Sequence, residues 1–107
     1  MGFLMINLVL ACTMMFASIY WDGTRTANGE KFNPSGFTAA HRTLPFGTKL
    51  RVHYRGKSVD IRINDRGPAR WTGNDLDLSL GSAMELGLTK KKGQDWVCVE
   101  KINANSG

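Results

Sequence analysis

The sequence predicts a small all-β domain, a closed barrel with one short helix. Three observations carry that prediction. Two neighbouring segments alternate apolar and polar side chains with period 2 and are joined by a short glycine turn. Further short strand candidates are separated by Gly and Pro turns, and closing such strands on one another removes the exposed edges of a small open sheet. Only one segment carries both a helix start and a helix stop. With 107 residues, the chain has room for one such domain and excludes a two-domain enzyme.

Taken in order, the chain opens on a segment without charge. No Asp, Glu, Lys or Arg occurs before Asp22, although the chain has 14 Lys+Arg and 9 Asp+Glu and a formal net charge of +5. Phe3-Leu4-Met5-Ile6 and Leu8-Val9-Leu10-Ala11 suit the apolar core of a secretory signal and are short for a bilayer-spanning helix. Residues 1–16 are therefore expected to be a signal peptide or apolar leader, and 17–103 the folded domain. Leu10-Ala11-Cys12 also looks like a lipobox, in which Cys12 would be lipid-modified, and membrane contact is expected only in that case. Alternatively, Cys12 and Cys98 could form one disulfide. If the leader is removed or lipidated, Cys98 is left as a small buried hydrophobe.

Ala17 to Trp21 and Phe37 to Ala40 are strand candidates. Thr48 to Tyr54 places Leu50, Val52 and Tyr54 on one face and Lys49, Arg51 and His53 on the other. Ser58 to Asn64 does the same with Val59, Ile61 and Ile63 against Asp60, Arg62 and Asn64, and Arg55-Gly56-Lys57 joins the two as a hairpin. Ser79 is the expected helix N-cap, Leu80, Ala83 and Met84 its apolar face, and Gly87 its end. Asp95 to Ile102 is the last strand, with Trp96 expected in the core. No CxxC or Cys/His cluster is present, and Asp75-Leu76-Asp77 offers too few ligands for Ca²⁺, so no metal or cofactor is expected. The basic residues are scattered (Arg25, Lys31, Arg42, Lys49, Arg62, Arg66) without interleaved aromatics, which argues against nucleic acid as a partner.

Polar residues gather beside turn-formers in three places: Thr26-Ala27-Asn28-Gly29-Glu30, Thr38-Ala39-Ala40-His41-Arg42-Thr43-Leu44-Pro45-Phe46-Gly47, and Asn64-Asp65-Arg66-Gly67-Pro68. Asp65 falls where a strand ends and Gly67-Pro68 breaks the chain, a position from which scaffolds display functional side chains. Taken alone, it reads first as a turn residue that caps backbone N–H groups.

These three segments, with Ala17-Ser18-Ile19-Tyr20 before them and Asp77-Leu78-Ser79, Ala83 and Leu86-Gly87 after, resemble the rare lipoprotein A (RlpA) family. The likeness runs in order from about Ala17 to Glu100. It implies a six-stranded double-psi β-barrel, a fold shared with expansins. It also implies a lytic transglycosylase whose partner is the glycan strand of peptidoglycan, preferably without stem peptides; the leader adds the expectation of export, and the chain is expected to be a monomer. Such an enzyme cleaves between N-acetylmuramic acid and N-acetylglucosamine and leaves a 1,6-anhydro ring. An anionic wall would also account for the positive charge.

The family's acid matches Asp65, and its other functional positions match Glu30 and His41. Around these, Asn64, Arg66, Arg42 and Trp71 are expected to bind substrate. One carboxyl group suffices for this reaction, whereas a hydrolytic glycosidase ordinarily uses two. The acid gives its proton to the leaving oxygen and takes one back from the muramyl C6 hydroxyl, an internal nucleophile of high effective concentration. Glu30 could raise the proton affinity of Asp65 or stabilise the oxocarbenium-like state. His41 could orient a carboxylate or a sugar hydroxyl, or serve only a structural hydrogen bond. The alternative function is a non-catalytic, expansin-like module that binds or loosens wall polysaccharide. Two departures from the family pattern, Trp21-Asp22-Gly23 after Tyr20 and Gly73-Asn74-Asp75 before Asp77, bear on groove shape.

Overall fold

The computed structural model describes residues 12–102. Within them lie β1 (Thr13–Tyr20), β2 (Thr38–Ala40), β3 (Lys49–Tyr54), β4 (Lys57–Asp65), β5 (Leu76–Ser79), α1 (Leu80–Leu86) and β6 (Gln94–Lys101), with a 3-10 turn at Arg70–Thr72. The six strands close into a barrel in the order β1-β5-β2-β4-β3-β6. Two of the pairings, β1 with β5 and β2 with β4, are parallel.

The predicted hairpin is β3–β4. Leu50, Val52 and Tyr54 point inward and are buried, as are Val59, Ile61 and Ile63 opposite them. Its turn has two central residues, Arg55 and Gly56, at φ 47° and 83°, so Tyr54 pairs directly with Lys57. Positive φ at both positions is the twist-matched geometry of a two-residue hairpin loop, and Gly56 adopts it without steric cost.

The barrel begins earlier than the leader boundary allowed. β1 starts at Thr13, so residues 13–16 belong to the domain and pair with β6 as Thr13↔Val99, Met14↔Cys98, Met15↔Val97 and Phe16↔Trp96. Cys12 is joined to Cys98 by a disulfide with Cα atoms 5.5 Å apart. The rest of the expected leader, residues 1–11, lies outside the described residues.

Two expectations about facing are corrected. Trp96 is not in the core: Val97 and Val99 point inward at 1% and 4% exposure, and strand alternation then turns Trp96 outward at 53%. In α1 the buried residues are Ser82, Ala83 and Leu86, and Met84 faces solvent. The N-cap is as expected, since the Ser79 hydroxyl accepts from Ser82 N–H, and Gly87 closes the helix in the left-handed region. The helix, with Ala83 and Leu86, and Leu88 just after it cover the barrel core of Ala17, Ala39, Ile61, Ile63, Leu76, Leu78 and Val97.

This topology sets the site. Ala40, at the end of β2, pairs with Asp65 on β4 and with Asp77 on β5. The register of β2 against β4 shifts between Ala39 and Ala40, an irregularity of the kind that re-aims side chains at barrel rims. Two carboxyl-bearing residues thus flank one small residue at the same end of the barrel.

Candidate active site

Asp65 ends β4, and its Oδ1 accepts hydrogen bonds from Ala27 N–H at 2.8 Å and Arg66 N–H at 2.9 Å. The first donor belongs to the 26–30 loop, which folds on itself through Thr26 N–H and Gly29 N–H and docks on β4 by Asn28 N–H to the Asn64 carbonyl. Within this loop, the Asn28 side chain accepts from Thr26 and from Glu30 N–H, a local motif that Asn readily forms. Among the described residues no hydrogen bond reaches Asp65 Oδ2.

Glu30 comes from the same loop. Arg62 grips its carboxylate with both terminal nitrogens, at 2.5 and 2.7 Å, and the Asn28 and Asn64 amides add 2.8 and 3.3 Å bonds. These donors, Arg62 foremost and then Asn28, lower the Glu30 pKa from 4.5 to about 2. Glu30 is therefore an ionised carboxylate whose charge Arg62 balances.

His41 follows β2. Its Nδ1 accepts from Thr43 N–H and Leu44 N–H, both at 3.1 Å. Burial, reinforced by the cations Arg42 and Arg66, pushes its pKa down. A neutral ring with an accepting Nδ1 carries its proton on Nε2, so the ring keeps one donor for another partner.

The four residues expected at the substrate differ in reach. Asn64 is 2% exposed and its amide turns to Glu30 rather than to solvent. Arg42 donates through Nη1 to the carbonyls of Pro68 at 3.0 Å and Asn74 at 2.7 Å, which ties the His41 loop to the 68–75 segment. Arg66 donates to the carbonyls of His41 and Leu44 and lies over the Phe46 ring at 3.9 Å. All three hold backbone or carboxylate in place. Trp71, in the 3-10 turn after the cis Gly67-Pro68 peptide, is 88% exposed.

The structure adds Asp77, on β5, and Tyr20, at the end of β1. Asp77 accepts from the Ser18 hydroxyl at 2.9 Å, and burial, with Asp65 as a like charge, raises its pKa. The Tyr20 hydroxyl is buried without a hydrogen-bond partner, its ring stacked on Phe32 at 4.8 Å. Burial first, then Asp65 and Asp77, raises its pKa as well. Only the topology shows that Tyr20, Asp65 and Asp77 share one end of the barrel. Among the described residues no group of three or more His, Cys, Asp or Glu side chains is placed to hold a metal.

Comparison with known proteins agrees with this architecture. Residues 13–99 match the double-psi β-barrel family described as lytic transglycolase. A "probable endolytic peptidoglycan transglycosylase RlpA" of Synechocystis sp. is 56% identical over 70 residues, 64% of this chain and 22% of that protein. The Treponema pallidum protein of the same description is 40% identical over 96 residues, 85% of this chain and 30% of its own. The "endolytic peptidoglycan transglycosylase RlpA" of Pseudomonas aeruginosa (strain PAO1) is 44% identical over 80 residues, 68% of this chain and 23% of its own. The chain thus spans less than a third of the length of these curated relatives. Among solved structures, the Streptomyces papain inhibitor superposes with a TM-score of 0.69 at 18% identity, over 86% of this chain and 94% of that one. Cerato-platanin 3 of M. perniciosa does so with 0.63 at 12%, over 85% and 95%. At such identities these two show the fold alone. The chain belongs to the RlpA-like family of double-psi β-barrels, whose model describes lytic transglycolases.

Proposed function

We propose that this domain is a peptidoglycan lytic transglycosylase with Asp65 as its acid and base. The carrying observation is the Asp65 carboxyl, held through Oδ1 by two backbone N–H groups at the barrel rim, with Oδ2 left for a substrate. The names of the relatives supply the polymer. In the proposed reaction, protonated Asp65 gives its proton to the oxygen linking N-acetylmuramic acid to N-acetylglucosamine as that bond breaks. The carboxylate then takes the proton of the muramyl C6 hydroxyl as its oxygen closes on C1, giving the 1,6-anhydro ring. No water is consumed, and the proton account closes on one residue.

His41 offers an Nε2–H donor to a sugar oxygen. Glu30, with its charge matched by Arg62, fixes the 26–30 loop that supplies Ala27 N–H to Asp65. Asn64, Arg42 and Arg66 act as positioning residues, and Trp71 is the exposed ring available to stack on the glycan. The preferred substrate is a strand stripped of stem peptides, worked on by a monomer in the cell envelope. The Cys12–Cys98 disulfide supports export, because such bonds persist in oxidising compartments. A sulfur committed to that bond is not available for lipid attachment.

The test is digestion of amidase-treated and untreated peptidoglycan, with mass spectrometry of the products. Wild type should release anhydro-muramyl ends, faster from the amidase-treated sample, and Asp65→Asn should lose roughly 10²–10⁴-fold in rate. Retained activity in Asp65→Asn refutes the assignment of the acid. Binding of the polymer without any cleaved product leaves the expansin-like alternative.

A further inference from the structure

The outer face of β1, β6 and β3 forms a second concavity, of about 530 Å³, lined by Met14, Trp96, His53, Arg55 and Asp95 among others. It lies at the hairpin-turn end of β4, about 25 Å of strand from Asp65. Its volume falls within the range of small-ligand sites, roughly 300–1,000 Å³. The register explains its construction. Met14, Cys98 and His53 form one row across the three strands, and Phe16 and Trp96 form the next. Arg55, two residues beyond His53, continues the Trp96 row into the turn. Phe16 packs on Trp96 with ring centroids 5.2 Å apart and planes tilted by 54°, which fixes the indole while 53% of the residue stays exposed. The disulfide at Cys98 anchors the same patch.

Three of the polar side chains around the ring, His53, Arg55 and Asp95, are already paired. His53 Nε2 lies 2.6 Å from Glu100 Oε2. Asp95 Oδ2 accepts from the Tyr54 hydroxyl at 2.7 Å and sits 3.8 Å from Arg55 Nη2. Within the lining Asp95 offsets Arg55 and Lys57 adds one further positive charge, so the face is only weakly cationic. A held, exposed aromatic ring edged by balanced donors and acceptors is complementary to a pyranose, with its apolar C–H face and its rim of hydroxyls.

We propose that this face is a second, non-catalytic glycan-binding site, with an N-acetylhexosamine ring stacked on Trp96 and its hydroxyls bonded to the His53–Glu100 and Arg55–Asp95 pairs. It would hold one part of a strand while another part lies at Asp65. The proposal takes from the reading above only the class of polymer, not the bond cleavage.

The experiment is an NMR titration of the Asp65→Asn chain with the uncharged hexamer of β-1,4-linked N-acetylglucosamine. Shifts at the Trp96 indole N–H, Met14 and Arg55 are expected. Trp96→Ala, with its fold checked from the same spectra, should bind at this face about tenfold or more weakly, as for loss of a central aromatic anchor. Shifts confined to the surroundings of Asp65, Glu30 and His41, or no shifts at all, overturn the proposal without any Trp96 variant. So does a folded Trp96→Ala chain of undiminished affinity, or a preference for anionic heparin that disappears with salt. If wild type cuts no peptidoglycan while the Trp96 shifts persist, the catalytic reading fails and this one stands.

Discussion

The Asp65 carboxyl caps Ala27 and Arg66 N–H through Oδ1, while among the described residues no hydrogen bond reaches Oδ2. The turn-capping and functional readings of this residue are thus compatible, because in the proposed mechanism the cap aims the acid. Glu30 shows a different use of a carboxylate. Its pKa falls from 4.5 to about 2 under Arg62 and Asn28, so the folded state binds its proton more weakly than the unfolded chain does. The stabilisation is fully present above pH 4.5 and is lost as pH falls toward about 2. Denaturant midpoints between pH 2 and 7 should place Glu30→Gln below wild type at neutral pH and converge with it at the acid end; parallel curves would refute the linkage. Asp77 has the opposite sign, because burial and Asp65 raise its pKa. Its stabilising effect belongs to the protonated form and is lost as pH rises from its ordinary 3.8 through its raised folded value. Asp77→Asn should therefore gain stability relative to wild type on going from pH 3 to pH 7, and a constant difference between the two would count against it. None of these shifts was legible in the sequence, since Arg62 lies 32 residues from Glu30 and the Asp65–Asp77 approach depends on which strands flank β2.

At the level of elements, legibility followed local periodicity. The β3–β4 hairpin declared itself because alternation and turn chemistry are both local, and its inward residues came out as expected. Ser79 and Gly87 bounded α1 correctly for the same reason. The Trp96-Val97-Cys98-Val99 run misled because all four residues are apolar, and composition alone does not say which alternate pair faces in. The inward pair was set by the barrel, which accommodates Val97 and Val99 and leaves the bulkier Trp96 outside. Helix packing added a contact that no pattern announces: a Cβ on Gly81 would lie 2.5 Å from the Ser35 carbonyl oxygen. That neighbour is backbone, held by Gly81 N–H donating to the Pro34 carbonyl at 2.8 Å, so it has little room to yield. In an open helix Ala is favoured over Gly by about 1 kcal/mol. Here overpacking, typically about 1–3 kcal/mol, opposes and exceeds it. Gly81→Ala should lower the urea midpoint, and an unchanged or raised midpoint would show that the 33–36 loop moves freely.

For the whole molecule, the decisive contacts join the ends of the domain. β1 pairs with β6 and β5, and the Cys12–Cys98 bond spans 86 residues of sequence. Such non-local closure is invisible in the local sequence, where the uncharged leader runs on to Phe16, whereas the barrel uses residues from Thr13. The boundary has a measurable consequence. A chain beginning at Ala17 loses the disulfide, a contribution of typically 2–4 kcal/mol, and also the four pairs from Thr13↔Val99 to Phe16↔Trp96. It leaves β6 with an unpaired edge and Val97 and Val99 without the cover of Met15. Small domains are stable by only about 5–15 kcal/mol, so these losses together take most of the margin. Reduction of the intact chain removes the disulfide alone and serves as the control. The reduced chain should still unfold in one cooperative transition at a lower urea midpoint. The chain from Ala17 should fall well below it or show no transition. Equal midpoints for the two would mean that residues 13–16 add nothing to the barrel beyond the cysteine next to them, and the domain would then begin at Ala17.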